Sequence, residues 1–256
     1  MSQRKRLQAI LDQLQSTSEL TVDEACKLFD ASPATIRRDF NLLTSNGEVE
    51  KTWGGIARKE SLQSDMKPLG FRQTQHVLEK KAIAESAASL IKDGEVVIID
   101  GGTTTFEMAA LLANRKVRII TNSLLIAHEI HQQRQGWIGP EVFLTGGFLY
   151  PDSGLIVGPE ANKNLLQYHA DWAFLSVGGI DQEVITNSNQ LVVETEQTMI
   201  AQSDKAVLLA DFSKIGSRSM IKMCEPHEIL LLITNKKASD HDLLPIGKAG
   251  LEILKV

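Results

Sequence analysis

Residues Ser32 to Phe40 read Ser-Pro-Ala-Thr-Ile-Arg-Arg-Asp-Phe, and this stretch predicts the first part of a DNA recognition helix. Serine is favoured at an N-cap, and proline suits the first helical position, where no backbone N–H is needed. Ile36, Phe40 and Leu43 recur at i, i+4 and i+7, so they form one buried stripe. Polar side chains that can hydrogen-bond phosphates and base edges lie away from that stripe. The predicted DNA contacts of this helix are Ser32, Thr35, Arg37, Arg38 and Asn41.

The residues before Ser32 predict two more helices, in the order of a helix-turn-helix. An apolar stripe between Leu7 and Leu14 marks the first helix. Thr21 and Glu24 have the spacing of a capping box, which marks the start of the second. A connection of two residues then leads to Ser32, as a helix-turn-helix requires. The alternative interpretation is an ordinary amphipathic helix whose polar face meets only water.

The residues after the third helix predict a small wing. Asn46-Gly47 is a turn signal, and the alternating residues Glu48 to Trp53 suit a strand. Lys51 is the predicted phosphate contact on this strand. Three helices and a wing make a winged helix-turn-helix, which we place at residues 1–59.

The charge of this first domain is balanced, with nine basic and nine acidic residues in positions 1–60. A neutral module is expected to bind DNA with modest affinity, because phosphate contacts supply most of the binding free energy. Dimerisation would then matter for operator binding. The positive charges are local, at Arg4, Lys5 and Arg6, at Arg37 and Arg38, and at Lys51, Arg58 and Lys59.

The whole chain has 256 residues, enough for two domains, and a net charge of −5. Its two cysteines, Cys26 and Cys224, are too far apart in sequence for a zinc motif or a disulfide framework. The first residues run into an amphipathic helix rather than a signal peptide, and no apolar run has the length of a membrane span. We therefore expect a cytoplasmic protein with no metal, no cofactor and no membrane contact.

Residues 60–70 are polar and lack a period, which predicts a linker, and residues 71–256 then alternate between helix and strand patterns. Repeated β-α units predict an α/β sheet that binds ligands at the carboxyl ends of its strands. The predicted helices are 79–92, 104–113 and 123–134. The predicted strands are 95–100, 117–120, 141–144, 172–177, 206–210, 229–233 and 251–254.

The carboxyl end of the first of these strands carries a candidate phosphate site. Two glycines and three threonines follow Asp100 and open a helix, so backbone N–H groups and hydroxyls are available to an anion. A tight turn capped by threonine is the alternative. Lys214, after a later strand, could neutralise a phosphate, and Thr186 could offer a hydroxyl group. The predicted ligand-binding residues are Asp100, Gly101, Gly102, Thr103, Thr104, Thr105, Thr121, Asn122, Gly146, Gly147, Gly178, Asp181, Thr186 and Lys214.

The segments Thr35-Ile36-Arg37-Arg38-Asp39 and Trp53-Gly54-Gly55 resemble the amino-terminal signature of the DeoR family of bacterial transcriptional regulators. The Gly-Thr-Thr, Thr-Asn, Gly-Gly, Gly-Ile-Asp and Asp-x-Ser-Lys segments resemble its sensor domain, so the resemblance covers nearly the whole chain. It implies a winged helix joined to a sensor for phosphorylated sugars, with a fold related to ribose-5-phosphate isomerase.

The resemblance implies a regulator of carbohydrate genes, most often a repressor, and not an enzyme. Its partners would be double-stranded operator DNA, a phosphorylated sugar effector and further copies of the chain, as a dimer or tetramer. The alternative is an isomerase-like enzyme with an appended DNA-binding module. Such an enzyme needs a carboxylate base near the phosphate loop, for which Asp100, Asp181 and Asp211 are candidates.

Overall fold

The structure is a computed structural model that describes residues 3–17, 19–45, 49–58, 69–136, 139–150 and 153–256, with backbone alone for Arg4, Gln15, Ser16 and Arg58. The chain divides into two compact units, Met1–Gln75 and His76–Val256. The predicted Asn46-Gly47 turn, Glu48 and most of the predicted linker lie outside the described residues. The predicted domain limits, 1–59 and 71–256, stay predictions.

The first unit packs three helices around a small antiparallel sheet, and a short fourth helix follows. Its helices are Gln3–Thr17 (α1), Val22–Phe29 (α2), Pro33–Ser45 (α3) and Leu69–Thr74 (α4), and its strands are Glu19–Thr21 (β1), Val49–Thr52 (β2) and Gly55–Arg58 (β3). The strand order is β1-β3-β2. The predicted stripe of Ile36, Phe40 and Leu43 is buried against α1, α2 and the sheet.

Local sequence signals explain where α2 begins. The backbone N–H of Glu24 donates to Thr21 Oγ1 at 3.3 Å, and the N–H of Thr21 donates to Glu24 Oε2 at 2.9 Å. The capping box is therefore confirmed. Strand β1, which was not predicted, has three residues with Leu20 buried between two exposed neighbours, too short a pattern to identify.

The second unit is an α/β domain. Its helices are Val77–Leu90 (α5), Met108–Leu112 (α6), Leu124–Gln133 (α7), Pro159–Leu165 (α8), Gln190–Ala201 (α9) and Asp240–Lys248 (α10). Its strands are Val96–Ile99 (β4), Arg118–Thr121 (β5), Glu141–Leu144 (β6), Phe148–Tyr150 (β7), Leu155–Val157 (β8), Trp172–Leu175 (β9), Gly179–Ile180 (β10), Ile185–Asn187 (β11), Ala206–Leu209 (β12), Ile221–Cys224 (β13), Leu231–Thr234 (β14) and Glu252–Lys255 (β15).

Seven of these strands form a parallel sheet in the order β15-β14-β12-β9-β4-β5-β6. Alternate residues of β4 enter opposite cores: Val97 and Ile99 pack with α5, α6 and α7, while Ile98 packs with residues of α9 and α10. A strand covered on both faces needs a continuous apolar run, and this explains the Val-Val-Ile-Ile sequence. The predicted α/β fold class is confirmed.

Two smaller sheets were not predicted, the β7–β8 hairpin and the sheet β10-β11-β13. Their strands have two to four residues, which is too few for a period to emerge. The predicted helix 104–113 is also divided, into a 3₁₀ turn at Thr105–Glu107 and α6. Within the described part of the chain, none of the helices has both the length and the apolar character to cross a membrane.

Candidate DNA-binding surface and effector site

The predicted recognition surface lies on α3. Arg37, Arg38 and Asn41 are exposed, while Ile36 and Phe40 are buried on the other side. Three polar side chains on one exposed face can reach a major groove together.

The first turn of α3 uses its two hydroxyl groups locally. Ser32 Oγ accepts from the backbone N–H of Thr35 at 3.4 Å and lies 3.0 Å from Thr35 Oγ1. Ser32 therefore caps the helix, and Thr35 is half-buried beside it.

Asp39 has a structural role that the sequence analysis missed. It is fully buried and accepts hydrogen bonds from Arg6 Nε at 2.6 Å and from Gln3 Nε2 at 3.2 Å. Arg6 therefore joins α1 to α3 through its pair with Asp39. Its placement among the positive charges available near the DNA is corrected accordingly. A signal existed, because Asp39 falls on the buried stripe between Ile36 and Leu43.

The wing presents Lys51 and Trp53 to solvent. Trp53 lies at the tip between β2 and β3 and is fully exposed, at 103% of its reference area. Glycine is required at the next two positions for different reasons. Gly54 has φ +90°, which favours glycine, whereas a Cβ at Gly55 would lie 2.3 Å from the carbonyl oxygen of Leu20 and would block pairing with β1.

In the second unit, three strand ends meet around Asp100. Asn122 Nδ2 donates to Asp100 Oδ1 at 3.0 Å, and Ser176 donates to Asp100 Oδ2 through its backbone N–H at 3.2 Å and its hydroxyl at 2.9 Å. The N–H of Gly101 donates to Asn122 Oδ1 at 2.8 Å. Asp100 and Asn122 therefore satisfy each other and fix the loop that follows β4.

The two glycines of this loop are required by its neighbours. A Cβ at Gly101 would lie 2.0 Å from Leu155 Cδ2, and one at Gly102 would lie 2.4 Å from Ser176 Cβ. We predicted that these glycines let a ligand approach the backbone. Close packing against Leu155 and Ser176 already requires glycine at both positions, and the approach of a ligand stays a prediction.

The loop still offers hydrogen-bond donors. Among the described residues, none accepts from the backbone N–H groups of Gly102, Thr103, Thr104 and Thr105 or from the hydroxyls of Thr103 and Thr104. The Thr105 hydroxyl donates to the carbonyl of Gly102 at 3.1 Å. Four successive N–H groups without acceptors, at the start of a helical turn, form an arrangement that suits an anion.

Lys80 is a cation near this loop that the sequence analysis missed. It lies on α5, which packs against the Thr105–Glu107 turn, and its side chain is buried. Partial burial raises the pKa of Glu107, and the charges of Lys81 and Lys80 oppose that rise. The helical spacing of Lys80 with the buried Ile83, Ala84 and Ala87 could have revealed its inward position.

Lys214, the predicted cation, is placed differently. It ends the 3₁₀ turn after β12, and β9 separates β12 from β4 in the sheet. It is half-buried, two strands away from the loop that we predicted it to face. Asp211 caps the same turn by accepting from the N–H of Ser213 at 2.9 Å.

Three other predicted ligand-binding side chains already have partners within the fold. The Thr121 hydroxyl donates to the carbonyl of Ile99 at 2.7 Å, and the Thr186 hydroxyl donates to that of Gly179 at 3.1 Å. Asp181 accepts from two backbone N–H groups of its own turn and pairs with Arg218. Partial burial would raise the pKa of Asp181, but these bonds lower it overall.

The predicted glycines after the other strands shape turns. Gly146 and Gly147 have φ values of +68° and +117°, and they connect β6 to β7. A Cβ at Gly178 would lie 2.7 Å from Ser219 Oγ, so this glycine permits close packing.

Glu196 adds a second buried carboxyl group beside Asp100. It lies on α9, is fully buried, and accepts from Asn187 Nδ2 at 2.6 Å. Its pKa is raised well above the usual value, first by burial and then by the charge of Asp100; burial also raises the pKa of Asp100. Glu196 Oε2 has no donor among the described residues. Burial and the charge of Asp100 therefore favour the protonated form of Glu196.

Comparison with known proteins gives the family. Residues 6–62 match the DeoR-like helix-turn-helix domain, and residues 75–236 match the DeoR C terminal sensor domain. The chain belongs to the DeoR family. This family regulates carbohydrate genes through a sugar-phosphate-sensing domain, and the chain carries both the DNA-binding and the sensor domain.

The DeoR-family chain is 31% identical over 256 residues to the HTH-type transcriptional regulators UlaR of Shigella dysenteriae and of Salmonella newport, with all of both chains covered. Among solved structures, ribose 5-phosphate isomerase A from Methanocaldococcus jannaschii matches 53% of this chain and 52% of its own, with 19% identity and a TM-score of 0.38. A probable sor operon regulator from Shigella flexneri matches 71% of this chain and 85% of its own, with 8% identity and a TM-score of 0.39.

Proposed function

We propose that this DeoR-family regulator represses carbohydrate-metabolism genes in the cytoplasm and changes its operator binding when a phosphorylated sugar occupies the loop Gly102–Thr105. The four N–H groups of that loop, which have no acceptor in the part of the chain that the structure describes, are the observation that supports the effector site most strongly. The DNA-binding surface comprises the exposed face of α3 and the wing.

The chemistry of the loop favours a phosphate over an uncharged sugar. Backbone N–H groups bind an anion more strongly than a neutral oxygen, because charge-assisted hydrogen bonds are roughly twice as strong. Thr103 and Thr104 add two hydroxyls, and the buried Lys80 adds a positive charge close to the same turn. A buried cation beside anion-binding backbone groups offsets part of the charge that a dianionic ligand brings.

The enzyme alternative needs a carboxylate that can take a proton from substrate, and the three candidates are engaged elsewhere. Asp100 is held by Asn122 and Ser176, Asp181 by its turn and Arg218, and Asp211 by the turn that it caps. The curated relatives UlaR are named as transcriptional regulators. We therefore propose that the chain is not an enzyme; measurable turnover of a sugar phosphate by the purified chain would contradict this.

We further propose that the regulator acts as a homo-oligomer, a dimer or a tetramer, assembled through its second unit. The balanced charge of the DNA-binding module supports this, since two modules acting together bind more tightly than one.

The effector proposal is tested by thermal unfolding of the full chain with a panel of phosphorylated sugars and their unphosphorylated forms. We expect a phosphorylated sugar to raise the melting temperature and its free form to have no effect. Lys80→Gln should remove this rise, whereas Lys92→Gln, which changes an exposed lysine just after the other end of α5, should keep it. Equal stabilisation by the free sugar would remove the phosphate from the site.

Lys214→Ala tests the second cation in the same assay. Under our prediction this variant also loses the response. A normal response in Lys214→Ala together with a lost response in Lys80→Gln would assign the phosphate to α5. Operator binding without effector should survive in both variants, because the changes lie outside the DNA-binding unit.

A further inference from the structure

The two edges of the seven-stranded sheet differ in how they are protected. The β15 edge alternates between exposed and half-buried residues, and it carries Glu252 and Lys255, the latter bonded to Asp240 at 2.6 Å. Charged residues on an edge strand discourage pairing with another chain. The β6 edge, Glu141–Leu144, instead has three successive apolar residues after its single charge.

Further exposed apolar side chains follow β6, on β7 and at the end of α8. The rings of Phe143 and Tyr168 lie 5.9 Å apart, and Asn164 Nδ2 donates to the carbonyl of Thr145 at 2.7 Å, which holds α8 beside the end of β6. We define the β6 surface as the large apolar side chains here that are between 38% and 62% exposed: Phe143, Leu144, Phe148, Leu149 and Leu166.

The size of the β6 surface fits half of a protein interface. With ordinary side-chain areas, the exposed parts of these five residues amount to about 400 Å² per copy, within the range of the largest apolar patch on a monomer. Successive side chains alternate between the two faces of a strand, so two copies would bury at most about 800 Å² of apolar surface, close to the apolar share of a standard interface of about 1,600 Å².

The charges around the β6 surface favour a second copy of this chain as the occupant. Arg118 and Glu141 form an exposed pair at one end of β5 and β6, at 3.5 Å, and α8 exposes Glu160 and Lys163. Both signs are present in equal number, so two copies related by a two-fold axis can place opposite charges together. A strongly charged partner would meet repulsion from half of these groups.

The backbone of β6 defines how the copies would meet. The N–H of Glu141 donates to the carbonyl of Val117, the residue before β5, and the N–H of Thr145 donates to the carbonyl of Thr121 at the end of β5. Because alternate residues of a strand direct their backbone groups to opposite sides, the N–H groups of Val142 and Leu144 point to the open edge. We infer that two copies join antiparallel along β6, with the two-fold axis at Phe143. Val142 then pairs with Leu144 of the other copy, each pair exchanging two backbone hydrogen bonds, and the sheet continues across the dimer.

Phe143→Lys and Leu254→Lys make a matched test on the full chain, because Phe143 and Leu254 lie on opposite edges and are 38% and 37% exposed. Analytical ultracentrifugation should show Phe143→Lys at a smaller assembly than the unmodified chain, since two lysines would face each other across the axis. Leu254→Lys should keep the assembly of the unmodified chain. An unmodified chain that is monomeric, or a Phe143→Lys variant of unchanged size, would overturn the inference.

A cysteine at the axis tests the geometry without disrupting it. Residues opposite each other in a non-hydrogen-bonded antiparallel pair have Cα atoms about 4.5 Å apart, within the range of a disulfide. Phe143→Cys should therefore give a covalent dimer on mild oxidation, and Leu254→Cys should not. A Phe143→Cys chain that stays uncrosslinked while assembled would reject the β6 pairing.

This inference rests on the proposed oligomer but not on the effector site. The loop Gly102–Thr105 follows β4, and β5 separates β4 from β6. A Phe143→Lys variant that dissociates but keeps its thermal response to a sugar phosphate supports both proposals. An intact assembly with no response to any sugar phosphate would count against the effector proposal alone.

Discussion

The two units offer their functional groups in different ways. In the first unit, the exposed face of α3 presents side chains, with Arg37, Arg38 and Asn41 directed to solvent. In the second, the side chains at the strand ends mostly bond to each other, and the donors without an acceptor among the described residues are mainly backbone N–H groups, with the Thr103 and Thr104 hydroxyls. A groove in DNA is read by side chains that reach outward, whereas a small anion can be enclosed by the main chain. A substitution on the exposed face of α3 should therefore remove one contact, whereas a substitution in the loop after β4 should act by changing the shape of the loop.

The largest effect should come from Asp39, which lies on α3 but has a buried carboxylate, unlike the side chains that α3 presents to solvent. Asp39→Ala removes the buried carboxylate that accepts from Arg6 and Gln3, and breaking a buried pair on one side costs about 3–5 kcal/mol. Chemical unfolding of the full chain should show this loss. Asp12→Ala, which removes an exposed carboxylate from α1, should change stability by less than about 0.5 kcal/mol. An Asp39→Ala variant as stable as the unmodified chain would contradict this structural role of Asp39.

Arg38→Ala tests the exposed face itself. We expect specific operator binding to weaken by about 1–3 kcal/mol, the usual value of a bidentate base contact, with stability unchanged. Mobility-shift titrations at fixed salt measure the affinity. Lys236→Ala removes an exposed charge from the second unit and serves as the control. Unchanged affinity in Arg38→Ala would move the recognition surface away from this part of α3.

Thr103→Val and Thr104→Val test whether hydroxyls add to the backbone donors at β4. Each removes one hydrogen bond of about 1 kcal/mol, so affinity for the phosphorylated sugar should fall about fivefold per change. Calorimetric titration gives the affinities, with Thr198→Val as the control on α9. If both variants bind as the unmodified chain does, backbone groups alone hold the ligand.

Glu196→Gln tests the protonation of Glu196, with a smaller effect that depends on pH. The raised pKa of Glu196 means that its contribution to folding is full below its unfolded pKa and is lost as pH rises through the folded value. The variant has no such loss. Its melting temperature relative to the unmodified chain should therefore rise steadily from about pH 5 upward. A difference that does not change with pH would place the proton elsewhere.

Local signals in the sequence predicted the parts of the fold that depend on neighbouring residues. The Thr21–Glu24 capping box, the stripe on α3 and the continuous apolar run of β4 all express periods or spacings of a few residues. The seven-stranded sheet followed from the repeated β-α pattern. Asp39 and Lys80 were also within reach, since each falls on the buried face of its helix.

Contacts between distant residues could not be predicted in this way. Arg6 and Asp39 are 33 residues apart, and Asp181 and Arg218 are 37 apart, so neither pair leaves a local pattern. The sequence analysis therefore assigned Asp181, Thr121 and Thr186 to a ligand although the fold uses their polar atoms. Residue type pointed to the carboxyl ends of the strands, which stays a prediction, and only the structure separates the groups that bond internally from those that stay available.

Because Trp53 is exposed, its fluorescence can report on the wing. Its indole is fully exposed at the tip, while Trp172 is buried with its ring against Phe174 and Lys205. A collisional quencher such as iodide reaches an exposed indole and is excluded from a buried one. In a Trp137→Phe background, the emission that iodide quenches would come from Trp53, and its protection on adding operator DNA would report the wing's approach to the duplex without any attached dye.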